Sequence, residues 1–309
     1  MDQSTKYAPA AESEDDDAAQ RPVIKRRSLA QRIATGMLVA AFVLTLVFLP
    51  EFDGLPFVLA CAGVGITAMS EFFRAVRKQG AEPSDVLGFL ACIAFQIAAW
   101  RRAGNNLDPY MPGFLTLLVL VAMFVELIKP KQKPILNIGS TLLGAIYCGW
   151  MLGFLVLMHG SHQLVRAPIA GTTPGMWLTA YVITVTSFSD IGGLFFGAAF
   201  GRHKLAPSIS PKKTWEGAAG GVVFSMLAAW LLGLWIHFPT GPSVALGAIL
   251  AVVGLLGDLC ESALKRDLGV KDFGIILPGH GGVLDRIDSI LFAAPVAYYF
   301  CLALAHGVG

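Results

Sequence analysis

Asp258, Asp285 and Asp288 bracket a short segment that holds Lys265, Arg266, Lys271, His280 and Arg286 together with Gly279, Gly281 and Gly282. A helix running through Asp258 places Ser262 and Lys265 on its face at i+4 and i+7. A second helix starting near Asp285 places Asp288 one turn along. Carboxylate oxygens are hard ligands, and with phosphate and water completing the shell they suit Mg²⁺ rather than Zn²⁺. Glycines let backbone N–H groups approach a phosphate closely, and the cations neutralise its charge. The combination predicts metal-assisted phosphoryl or nucleotidyl transfer, in which positioning and neutralisation matter more than a strong base. A carboxylate such as Asp288 at a helix N-terminus also serves as a cap and dipole partner, and any one of these cations suits a solvated loop. Neither explanation accounts for acids, glycines and cations gathered in one segment.

A second polar loop reads GRHKLAPSISPKKTWEG and contributes Ser210, Lys212, Lys213 and Thr214. Asp190 lies ten residues before its first glycine, Gly201. On a continuous helix that places the carboxylate about 15 Å from the helix end, at 1.5 Å per residue. An ionisable group at such depth in a membrane marks a functional cavity or an ion path, with a helix–helix hydrogen bond or salt bridge as the simpler alternative. Gly192-Gly193 directly after it offer a place for the helix to break.

The surrounding elements are those of an integral membrane protein. Of 309 residues, 55% are hydrophobic and only 14% charged, and mean hydropathy is +0.65, values outside the range of a soluble globule. A bilayer core takes roughly 20 apolar residues per helix. That length predicts nine spans, near 34–50, 55–72, 86–101, 112–128, 137–158, 176–200, 217–237, 243–260 and 287–306. With the N-terminus in the cytoplasm, all of the 23 Lys and Arg residues except Arg101, Arg102 and Arg166 fall on the inner side, as cytoplasmic loops require. The expected fold is all-α and polytopic. It divides into a disordered cytosolic arm over 1–28, membrane helices over 29–172 and a catalytic membrane region over 173–309. The five cysteines are scattered through apolar spans without C-x-x-C spacing. H-E-x-x-H and G-x-x-x-x-G-K-[ST] are both absent from the sequence, so zincin and P-loop readings have no support.

The segment from Ser262 to Asp288 resembles the C-terminal signature of the phosphatidate cytidylyltransferases, also called CDP-diacylglycerol synthases. The matching residues are Ser262-x-Leu264-Lys265-Arg266, Lys271-Asp272, Gly274, Leu277-Pro278, His280-Gly281-Gly282 and Asp285-Arg286-x-Asp288. Upstream, Ser189-Asp190, Ser210 to Gly217 and Gly257-Asp258 with Glu261-Ser262 are similar to family segments. The N-terminal half adds Arg32-x-x-Thr35 and Glu71-Phe72. The resemblance implies transfer of a cytidylyl group from CTP to phosphatidic acid, with Mg²⁺ as cofactor. It implies Asp258 and Asp285 as metal ligands and Asp190 as a third acid of the pocket. Lys265, Arg266, Lys271, Arg286 and His280 would bind phosphates. Ser210, Lys212, Lys213 and Thr214 would form the opposite wall, with Ser262, Gly281, Gly282 and Asp288 also lining the substrate site. Many relatives carry Ala-Tyr shortly after the equivalent of Asp190, where this chain has Gly193-Leu194.

Two other readings follow from the same residues. A CTP-dependent polyprenol kinase would transfer the γ-phosphate and release CDP. An ion-coupled transporter would use Asp190 and Asp258 as an ion path, but the polar residues gather on one side of the membrane only. The expected setting is a bacterial inner membrane with the site facing the cytoplasm, with no nucleic-acid partner. Gly144, Gly149 and Gly153 allow close helix contacts, either within one chain or in a homodimer.

Overall fold

The computed structural model describes residues 41–49, 54–102, 110–128, 132–161, 165, 167–274 and 281–307. The arm over 1–28, Arg32, Thr35, Leu277, Pro278 and His280 lie outside the described residues. The protein is all-α and polytopic. Helical turns over 41–47 precede α1 (Leu55–Arg77), α2 (Asp85–Arg102) and α3 (Tyr110–Ile128). There follow α4 (Pro134–His159), α5 (Pro174–Phe200), α6 (Trp215–Trp235), α7 (Thr240–Asp267) and α8 (Leu284–Gly307). Among the described residues, six helices (α1, α4, α5, α6, α7 and α8) are long and apolar enough to cross a membrane.

Local chemistry explains where these helices begin and end. Thr173 caps α5 through its hydroxyl and Pro174 follows at the first turn, while Thr214 caps α6 by accepting from Gly217 N at 3.1 Å. Helix α7 stops at Gly269, whose φ of 64° is the left-handed conformation glycine adopts at low cost. There Val270 N donates to Lys265 O at 2.9 Å, which closes the last turn and redirects the chain towards α8.

Small residues set the packing. A Cβ on Gly192 would lie 2.6 Å from Phe224 Cβ, and one on Gly217 would lie 2.8 Å from Gly193 O, so α5 and α6 meet almost backbone to backbone. The Gly192-Gly193 pair therefore does not break α5. The helix is continuous through Asp190, and its glycines serve this close approach. Gly144 faces Phe73, and Gly149 faces Cys92, so these two glycines make contacts within the chain. Met69, Phe72, Phe73, Tyr181, Leu250 and Leu291 fill the core. Leu120, Phe124, Leu194 and Leu231 are exposed, as side chains facing lipid are.

One piece of strand structure departs from the helical expectation. The loop after α5 folds into an antiparallel hairpin of β1 (Lys204–Ala206) and β2 (Ser210–Thr214), with Lys204 opposite Thr214. Pro207 at the turn and the short, polar strands explain why hydropathy periodicity did not reveal it.

Candidate active site

The C-terminal turns of α7 and the first turns of α8 meet at one end of the bundle. Asp258 and Glu261 on α7 and Asp288 on α8 each offer a carboxylate oxygen, all within 4.8 Å of one another. Glu261 is fully buried, and Asp288 nearly so. Ser262 Oγ lies 3.4 Å from Asp258 Oδ1, the i+4 relation expected along the helix face. Three carboxylates this close repel each other unless a cation sits among them. Their hard oxygens fit a divalent ion of the Mg²⁺ type.

Asp285 stands beside this group and not within it. Its Oδ1 accepts from Lys265 Nζ at 2.9 Å, and its Oδ2 accepts from Phe273 N at 3.0 Å and Gly282 N at 2.8 Å. The carboxylate thus stitches both ends of the signature loop to the start of α8. Lys265 also pairs with Glu261 one turn back on its own helix, so a single ammonium spans the triad and Asp285. Gly281 is left-handed, with φ of 82°.

The loop is held from below by a residue of the N-terminal half. Glu71 on α1 is fully buried, and its Oε2 accepts from Leu284 N at 3.0 Å, capping α8 across 213 positions of sequence. A Cβ on Gly274 would overlap Glu71 Oε1, and one on Gly282 would lie 2.5 Å from Glu71 Oε2. These two glycines of the signature are small because a carboxylate fills the space beside them. Glu71→Ala should therefore lower kcat/KM at least tenfold and cost about 2 kcal/mol of stability through the lost cap. Glu71→Gln retains an oxygen for Leu284 N and should keep most of both. Equal losses in the two variants, measured by turnover and thermal unfolding, would remove the acceptor role.

The basic hairpin forms the other side. Lys212 of β2 is exposed, whereas Lys213 turns inward, where its Nζ pairs with Asp258 Oδ2 at 2.6 Å. Arg266 Nε donates to Ile209 O at 3.3 Å, tying α7 to the hairpin turn. Thr214 is buried and occupied as the cap of α6, and Ser210 pairs in the strand register with Ala206. Lys212, Lys271 and Arg286 are exposed at this end of the molecule. Asp190 approaches the acids from α5, where Ser289 Oγ lies 3.4 Å from its Oδ1 and the charges of Asp258 and Lys213 reach it. Its side chain is exposed, next to the exposed Ile191. An ionisable group within a membrane-spanning helix is costly in hydrocarbon and by default marks a functional position.

Residues 30–304 match the profile of the family described as the cytidylyltransferase family. The chain belongs to that family. Among its relatives, a phosphatidate cytidylyltransferase of Synechocystis is 34% identical over 296 residues, covering 89% of this chain and 97% of the relative. The Bacillus subtilis protein of the same name is 35% identical over 280 residues, covering 89% and 97%. A Mycobacterium leprae phosphatidate cytidylyltransferase is 31% identical over 311 residues, covering 96% and 91%. The cytidylyltransferase match thus takes in the N-terminal helices as well as the signature, in keeping with Glu71 reaching across to α8.

Glu261 is the residue that reasoning from sequence passed over as a site residue. Its position three residues after Asp258 was a usable signal, because i and i+3 share a helix face.

Proposed function

We propose that this protein transfers a cytidylyl group from CTP to phosphatidic acid, forming CDP-diacylglycerol and pyrophosphate. The observation that carries the proposal is the acid triad of Asp258, Glu261 and Asp288, the last two buried, set between two lysines in a chain of the cytidylyltransferase family. The names of the relatives supply the lipid substrate. A phosphate oxygen of phosphatidic acid attacks the α-phosphorus of CTP, and the bond from that phosphorus to the bridging oxygen breaks as pyrophosphate leaves. The attacking monoester is already anionic near neutral pH, so no strong base is needed.

Asp258, Glu261 and Asp288 would hold Mg²⁺, and Asp285 borders them through the shared Lys265. The ion, when bound, supplies neutralisation of the two phosphate groups as they approach. Lys265 and Lys213 are each paired with an acid of the site and stand ready to turn to phosphate oxygens. The hairpin carries Lys213 and lies over the nucleotide side. The exposed edge of α5 around Asp190, Ile191 and Leu194 gives the lipid lateral access from the bilayer. The site faces the cytoplasm, where CTP is found, and the membrane is a bacterial inner membrane.

The test is purified protein with phosphatidic acid, labelled CTP and Mg²⁺, with and without a chelator. Labelled CDP-diacylglycerol and free pyrophosphate are expected, and chelation should abolish both. Release of CDP with a phosphorylated lipid would assign a kinase instead.

A further inference from the structure

Tyr147 comes from the N-terminal half and from outside the signature, yet it packs against α8, the helix that carries Asp288. It sits in a π-helical turn, Ala145–Trp150, within α4. Such turns widen a helix by one residue and occur often at functional sites. The side chain is only 4% exposed, and its ring packs edge-on against Phe292 of α8 with centroids 6.1 Å apart. Its hydroxyl is buried with no hydrogen-bond partner among the described residues. Phe292 stands one turn after Asp288 on α8 and would lie 3.0 Å from a Cβ on Gly257, the residue before Asp258 on α7, and the carboxylates of Glu261 and Asp288 are among the charges that act on the hydroxyl.

A buried hydroxyl with no partner is destabilising, and phenylalanine would fill the same space without that cost. The carboxylates do not satisfy it, although it stands within reach of their charge. An oxygen placed among those carboxylates by a cation would satisfy it. We infer that Tyr147 is a further binding residue of the site, whose hydroxyl donates to a cation-held oxygen at the Asp258–Glu261–Asp288 group. That oxygen belongs either to water in the ion's shell or to a phosphate of the nucleotide. The inference rests on the metal-binding part of the proposed function.

Tyr147→Phe tests it in the full chain, reconstituted in lipid nanodiscs. Without metal the variant should be at least as stable as the wild type, because it loses an unsatisfied polar atom and no contact. Mn²⁺ affinity, read by electron paramagnetic resonance, should weaken about fivefold to tenfold, with kcat/KM falling about tenfold. Weakening in the absence of CTP identifies water as the acceptor, and weakening only with CTP identifies a phosphate oxygen. Unchanged Mn²⁺ affinity in both arms overturns the inference. So does a loss of metal-free stability, which would make the hydroxyl structural. A wild-type protein that binds no Mn²⁺ would sink the metal site and this inference together. One that binds Mn²⁺ but transfers no cytidylyl group would overturn the proposed reaction and leave Tyr147 in place.

Discussion

Asp285→Asn is expected to lower cytidylyl transfer at least 10³-fold while the protein still inserts and folds. That loss corresponds to about 4 kcal/mol of transition-state stabilisation, at 1.36 kcal/mol per tenfold. The argument is one of acceptors. Asp285 presents one oxygen to Lys265 and the other to the amides of Phe273 and Gly282. An amide side chain has one oxygen, so its NH₂ group must face either the ammonium or the two N–H donors. Either way the lysine or the loop is released from its place beside the triad. The expected stability cost is about 1–3 kcal/mol, the range for an unsatisfied buried donor, because the hydrophobic helices are untouched. Turnover in proteoliposomes with labelled CTP, alongside thermal unfolding, separates the two quantities. Wild-type turnover in a folded variant would remove Asp285 from the mechanism.

The parts of the site that lie on helices were legible in the sequence, because helical spacing is a strong constraint. Asp258, Ser262 and Lys265 share a face as predicted, and Lys265 bridges to Asp285 on the next helix. Six of the nine expected spans are matched by long apolar helices among the described residues, because apolar length acts independently of tertiary detail. Contacts between distant elements were not legible. Nothing in the sequence around Glu71 says that its carboxylate caps α8 or fills the space beside Gly274 and Gly282. Cations in the hairpin were also indistinguishable by composition. Only the folded hairpin, which pairs Lys213 with Asp258 and leaves Lys212 exposed, separates the two. Gly192-Gly193 carries a similar lesson. Glycines within a span fit either a broken helix or a close helix contact, and the neighbouring helix α6, with its own Gly217, Gly220 and Gly221, decides for contact.

Glu261→Gln should separate stability from activity by moving them in opposite directions. In the metal-free protein Glu261 is buried close to Asp258 and Asp288, their oxygens within 4.8 Å, and its only ion pair among the described residues is with Lys265. Lys265 keeps Asp285 as a partner when Glu261 is neutralised, so no ammonium is stranded. Removing one of three crowded negative charges then relieves repulsion, and metal-free stability should rise by an amount on the order of 1 kcal/mol. The same change removes a charged ligand from the group proposed to hold Mg²⁺. Turnover should fall about 10²-fold or more, with the half-saturating Mg²⁺ concentration raised. Thermal unfolding in chelator, followed by Mg²⁺ titration of activity, reads both effects. A variant that is destabilised in chelator would show that Glu261 serves chiefly to anchor Lys265. A variant with unchanged Mg²⁺ dependence would exclude Glu261 from the metal group and leave that role to Asp258 with Asp285 or Asp288. The predicted opposition has a physical origin: the fold tolerates the crowded acids at a cost in stability, and the bound cation offsets it.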